Sequence, residues 1–123
     1  MTQEEKELLI KDLCARLPYG VKIDIPDLFI STKNNIEVLN EIFCGDNGEF
    51  YCNNFGILIE YVKPYLFPFS SMTEEQEKEW RYTLSSDSNI TYDTVDWCNE
   101  NHFDYRGLIP MDLANDATGL NIY

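Results

Sequence analysis

Basic residues are scarce in this chain. Nine Lys and Arg stand against 22 Asp and Glu among 123 residues, for a formal net charge of -13. A protein that grips duplex DNA or RNA displaces counterions with a basic footprint, and an anionic membrane surface recruits basic segments. Direct nucleic-acid binding and membrane binding are therefore excluded as expectations. Long apolar runs are missing too. The longest candidate, residues 55–59, stops at Glu60, far short of the ~20 residues that span a bilayer. The first residues include Glu4, Glu5 and Glu7 and lack the basic n-region of a secretory signal, so the expected location is the cytoplasm. Without a secretory route, the sequon at Asn89, Ile90 and Thr91 is read as chance.

Metal and redox motifs are also absent. Cys14, Cys44, Cys52 and Cys98 are too far apart for a CxxC unit, so neither a zinc ribbon nor a thioredoxin-like pair is signalled. Four free thiols are expected in a reducing compartment. Only Cys44 and Cys52 invite pairing, across the turn at Gly45, Asp46, Asn47 and Gly48. With a two-residue loop Cys44 faces Tyr51, and longer loops move it to Phe50 or Glu49. In none of these registers does it face Cys52. The same glycines lack the GK[ST] of a phosphate loop, and the order of a calcium loop is missing, so no cofactor or metal is expected.

What is present makes a core. Hydrophobic residues are 44% of the chain and aromatics 14%, too apolar for disorder and enough for one domain over residues 1–123. Thr2 and Glu5 have capping-box spacing, and Leu9, Ile10, Leu13, Cys14 and Leu17 form one stripe of a helix that ends before Pro18. Residues 21–25 alternate strictly between apolar and charged, the pattern of a strand with one buried face. Residues 29–32 read as a short strand and 33–35 as a turn. Residues 36–44 fit both a strand and a helix, and the turn that follows favours a β-hairpin. A second turn is read at 53–56 and another strand over 57–62. Pro64 and Pro68 impose an extended course on 63–69. Thr73 and Gln76 open a second helix whose face is a thin stripe of Met72, Gln76, Trp80 and Leu84. A third helix, capped by Thr91 or Asp93, runs to Asn101 with Val95 and Cys98 inward and Trp97 packed against the sheet. The tail is read as ordered irregular chain; residues 115–123 have few anchors and are read as loose, with docking of Leu120, Ile122 and Tyr123 as the alternative. Strands in one run and helices in another predict an α+β fold: an N-terminal helix, a small antiparallel sheet of three to four strands as a meander or small barrel, and two C-terminal helices.

The chemistry of catalysis finds little support. The enzyme reading rests on the single histidine, His102, beside Asp104 and Arg106. The competing reading pairs Asp104 with Arg106 and sets His102 as a cation at a helix C-terminus. No nucleophile motif accompanies them, so no catalytic residue is assigned. Acidity is the more unusual feature. Residues 83–123 hold seven acids and one base, Arg106. Asp87, Asp93, Asp96 and Glu100, with His102, Asp104 and Arg106, are the candidate partner-binding residues, and a basic protein surface is the expected partner. Asp93, Asp96 and Glu100 share one helical face.

Two stretches carry a resemblance. Residues 62–75 read VKPYLFPFSSMTEE, and residues 96–109 read DWCNENHFDYRGLI. Together they resemble a group of short acidic uncharacterised proteins from gut anaerobes and their phages or mobile elements, with the pattern KPYLxPxSSMTEE followed by DWxNxxHFDYRGLI. Phe67 stands where the group has arginine, and Cys98 where it has leucine. The resemblance implies a shared fold and an accessory role in a mobile element, and brings no activity. The expected function is therefore a small non-catalytic accessory or interaction protein. An acidic mimic of nucleic acid that inhibits a DNA- or RNA-binding protein is the alternative, and an enzyme using His102 the remote one. The oligomeric state stays open.

Overall fold

The computed structural model describes residues 1–25, 36–53 and 56–123. The expected strand at 29–32, the turn at 33–35 and part of the turn at 53–56 lie outside the described residues. The architecture is α+β, with a helix first, strands next and two further helices.

Helix α1 (Gln3–Arg16) opens with the expected capping box, Thr2 and Glu5 satisfying each other's backbone amides. Leu9 and Leu13 are fully buried, whereas Cys14 is exposed. The stripe is turned by about one residue from the expected one, because Asp12 and Arg16 also face inward and are 0% exposed.

The strands divide into two sheets. β1 (Lys22–Asp24) pairs antiparallel with β2 (Ile36–Val38) and with β6 (Lys63–Leu66), and β6 pairs in parallel with β7 (Asn115–Asp116). β3 (Ile42–Cys44), β4 (Phe50–Cys52) and β5 (Ile57–Leu58) form a separate antiparallel meander. The alternation at 21–25 holds, with Val21, Ile23 and Ile25 all buried. The expected strand over 57–62 stops after Leu58, where Ile59–Tyr61 turns into a short 3₁₀ helix that buries Ile59. The ambiguous segment 36–44 resolves into two strands that belong to different sheets.

The β3–β4 turn takes the longer loop, with Cys44 opposite Phe50 and Cys52 opposite Ile42. Gly48 sits at φ +80°, where its lack of a Cβ is needed, and a Cβ on Gly45 would meet the Tyr51 ring at 2.8 Å. Asn53 joins the two sheets. It is buried, its backbone N–H donates to Glu41 O, and its amide accepts from Asn40 N at 2.9 Å and donates to Val38 O at 3.1 Å.

The main core gathers Leu9 and Leu13 of α1, Ile23 of β1, Ile57, Leu66 and Leu108. A second, smaller cluster is built on Trp97, Cys98 and Phe103. Trp97 therefore packs in this cluster, and the sheet contact expected for it is replaced by a stack on Phe103, with ring centroids 5.4 Å apart. Residues 115–123 are anchored, and of the three residues able to dock, Tyr123 makes the side-chain hydrogen bonds. Ala117 is buried, and the Tyr123 hydroxyl accepts from Lys22 N and donates to Tyr65 O.

Between the two cores lies the charged group that α1 turns inward. Arg16 Nε donates to Asp12 at 2.9 Å, and Arg16 Nη2 donates to Phe103 O at 2.6 Å. Arg106 Nε donates to the other Asp12 oxygen at 3.2 Å. Removing one partner leaves charge uncompensated in a dry site, so Asp12→Ala should destabilise the protein by about 3–5 kcal/mol in urea unfolding. A loss under about 1 kcal/mol would mean that both arginines find water instead.

Candidate functional site

The resemblance region around residues 102–109 assembles a clamp. His102 adopts φ 65°, which reverses the chain after helix α3 (Tyr92–Glu100). Its neighbour Phe103 then enters the second core, while backbone bonds link Phe67 N to His102 O and Asp104 N to Phe67 O. Asp104 does not pair with Arg106. Its buried carboxylate accepts from Leu108 N at 2.8 Å and Ile109 N at 2.9 Å, folding the following turn onto itself. Arg106 reaches Asp12 instead, and also donates to the Tyr105 hydroxyl. The Tyr105 ring meets two guanidiniums, Arg106 at 4.8 Å and Arg16 at 5.2 Å from its centroid. Asp104 and Arg106, candidate contact residues in the sequence, thus act inside the fold.

His102 is no helix-terminal cation either. Its ring stacks on Tyr123 at 3.8 Å between centroids, and its Nδ1 is buried without a hydrogen-bond partner. Burial first, then the Arg16 and Lys22 charges, pull the imidazole down from its ordinary 6.5 to about 4. Burial likewise pushes the Tyr123 phenol up to about 12. Asp12 rises through burial, against the pull of Arg16 and Arg106. Among the described residues, no group of three or more His, Cys, Asp and Glu is placed to hold a metal ion.

The four acids singled out from the sequence all reach solvent. Asp87 lies in the connection before α3, and Asp93, Asp96 and Glu100 lie along that helix, all exposed. The inner face of α3 runs over Thr94, Trp97 and Cys98 and leaves Val95 half-buried. Val95 points to the feature that sequence reasoning missed. Between α3 and helix α2 (Glu74–Thr83) opens a groove of ≈ 540 Å³, within the range of ligand-binding clefts. Met72 and Trp80 line one side, Val95 and Cys98 the other, with Phe69 and Tyr105 between them. Its titratable groups are Glu77, which is bound to Arg81 at 2.6 Å, Cys98 and Tyr105. His102 does not line it. The one signal in the sequence was the thin apolar stripe of α2, too narrow to close a core.

Burial raises the Cys98 and Cys52 thiols to about 11, with Glu37 adding to the effect at Cys52, so neither carries much reactive thiolate. All four cysteines are free, with Cys14 and Cys44 exposed. A thiol reagent should count two groups in the native protein and four after denaturation without reductant. A denatured count of two would reveal a disulfide. For His102 the unfolded chain takes up a proton more readily than the folded one. Its contribution to stability is complete above about pH 6.5 and is lost as pH falls towards 4. His102→Asn, a residue that tolerates positive φ, should fall less steeply in melting temperature between about pH 7 and pH 4.5 than the parent protein. Equal slopes would place the ring in water.

No family model matches the chain, and neither a curated protein nor a solved structure does.

Proposed function

We propose that this is a non-catalytic interaction protein that acts in the cytoplasm and binds a basic protein surface through the acidic face of its last third. The observation that carries the reading is where Arg106 goes. It is the one base of residues 83–123, and it is drawn inward to Asp12. Six of the seven acids in the same stretch stay exposed: Asp87, Asp93, Asp96, Glu100, Asp112 and Asp116. Among the described residues, Asp112 alone of these has an ion-pair partner, Lys63 at 2.9 Å. With Asp104 buried and Arg106 drawn inward, the exposed acids keep the net charge of -6 that seven acids and one base give this stretch, and such a field steers and orients a basic partner. The resemblance of residues 62–109 adds an accessory role in a mobile element. A mimic of nucleic acid is the alternative. Such a mimic presents carboxylates in place of phosphates and has no use for apolar surface, so the groove between α2 and α3 favours the first reading.

The test is capture of a partner from a cell lysate at low salt, followed by titration of the purified pair. Asp93→Asn, Asp96→Asn and Glu100→Gln together should weaken binding by about tenfold and flatten its salt dependence, since each exposed charge contact is worth about 0.2–1 kcal/mol. Asp93 also stabilises the α3 N-terminus, so equal melting temperatures must be shown. Unchanged affinity and salt slope in a folded variant would reduce the charge to a solubility feature.

A further inference from the structure

A row of aromatic rings runs through the second core and stops at the groove. Trp97 lies on Phe103 with the ring planes 9° apart, and Phe103 lies on Phe69 with the planes 14° apart. Trp97 and Phe103 are buried, whereas Phe69, the last ring of the row, is 40% exposed and lines the groove. Trp80 stands against Phe69 at 56°, with centroids 6.0 Å apart, and the two rings make a corner. Met72, Trp80 and Tyr105 pack on the cluster of Trp97, Cys98 and Phe103, so the floor of the groove is already built. Helix α2, the wall, is held lightly: none of its ten residues is buried.

The lining offers no free charge. Glu77 is its one acid and is bound to Arg81, and no base lines it among the described residues. Burial keeps the Cys98 thiol protonated at neutral pH. The Thr94 hydroxyl is committed to Thr83 O. Two hydroxyls still have a proton to offer. Ser70 makes no hydrogen bond among the described residues, and the Tyr105 hydroxyl only accepts, from Arg106.

We infer that this groove is a binding site for a flat, uncharged aromatic molecule that carries a hydrogen-bond acceptor on its edge. The ligand's ring system lies on the open side of Phe69 and extends the row of Trp97, Phe103 and Phe69 by one member. Trp80 then meets it across the corner, and offset stacks and tilted contacts are the arrangements that aromatic rings prefer. A carbonyl oxygen or ring nitrogen takes the proton of Ser70 or Tyr105. An ion would leave water for a lining with no counter-charge to meet it. The volume of ≈ 540 Å³ is that of a cleft that encloses most of a drug-sized ligand. Asp93, Asp96 and Glu100 do not line the groove, so the inference stands apart from the acidic-face reading.

The probe is prodan, a flat uncharged naphthalene ketone whose emission moves to the blue in apolar surroundings, titrated into the full chain. It should bind saturably with a blue shift and slow amide exchange along α2. Val95→Phe removes no core atom and puts a ring into the groove from α3. It should weaken binding by about tenfold without lowering the melting temperature, and Phe69→Leu should weaken it by about fivefold. At least one of Ser70→Ala and Tyr105→Phe should weaken prodan by about threefold while naphthalene, which has no acceptor, binds as before. Acetylnaphthalene should displace the dye. Anionic naphthoate and the saturated ketone decalone should need about tenfold more. Prodan that keeps its emission in water, or that binds Val95→Phe as well as the parent, would overturn the site. Displacement by naphthoate or decalone as readily as by acetylnaphthalene would overturn its uncharged or its flat character. No loss in either hydroxyl variant would overturn the acceptor. The Asp93, Asp96 and Glu100 triple variant should bind prodan as the parent does. Loss there would overturn the separation of the groove from the acidic face.

Discussion

Arg16 is the constraint on which the rest of this fold depends. A guanidinium with no exposed surface must have every strong donor used, and its partners come from both ends of the chain: Asp12 one turn back on α1, and the carbonyls of Cys98 and Phe103 more than eighty residues away. Once those bonds form, α1 has a fixed orientation against α3, and the chain after α3 has a fixed course. Asp12 completes the arrangement by accepting from Arg106 as well. The charges roughly balance across Asp12, Asp104, Arg16 and Arg106, which is the condition under which so many ions tolerate burial. A hydrophobic replacement of similar volume could equal this group in stability. The ionic version adds direction, because only one placement of residues 98–106 satisfies the fork of Arg16.

That placement explains the division of the interior. The main core, under α1 and around β1 and β6, is closed, and its aliphatic residues are fully buried. The second core hangs from the clamp at residues 102–109 and is aromatic: Phe103 stacks on Trp97 and Phe69, and Phe67 leans on Phe103 and Tyr123. Aromatic rings reach far from the backbone, so a few of them fill a large volume without a complete shell around them. The α2 side is where the shell is missing. The groove is thus a consequence of how the clamp is built, with the rigid part of the molecule forming its floor and a lightly held helix its wall.

The net charge bears on the groove for a physical reason. An exposed apolar cleft invites self-association, and a strongly negative surround makes copies of the chain repel one another while leaving a basic partner attracted. The inward turn of Arg106 serves the interior, because it satisfies the second oxygen of Asp12.

How much of this was legible in the sequence depends on the range of the interaction involved. The capping boxes at Thr2 and Thr73, the alternation at 21–25 and the turn at 45–48 were all readable, because each is a hydrogen bond or a periodicity completed within a few residues. The exposed positions of Asp93, Asp96 and Glu100 followed from helical spacing in the same way. Asp12 and Arg16 have only the spacing of an i, i+4 pair in the sequence, and nothing local announces that their other partners arrive from residues 98–106. Asp104 and Arg106 sat close enough to pair and did not, because backbone amides and Asp12 offered each a better-placed partner in a drier site. Residues 59–62 have strand composition and yet begin as a 3₁₀ helix, the bend that carries the chain from the meander into β6. The groove was invisible for the same reason as the buried arginine. The sequence marks which residues are apolar; whether a facing element covers them is decided only when the whole chain is packed.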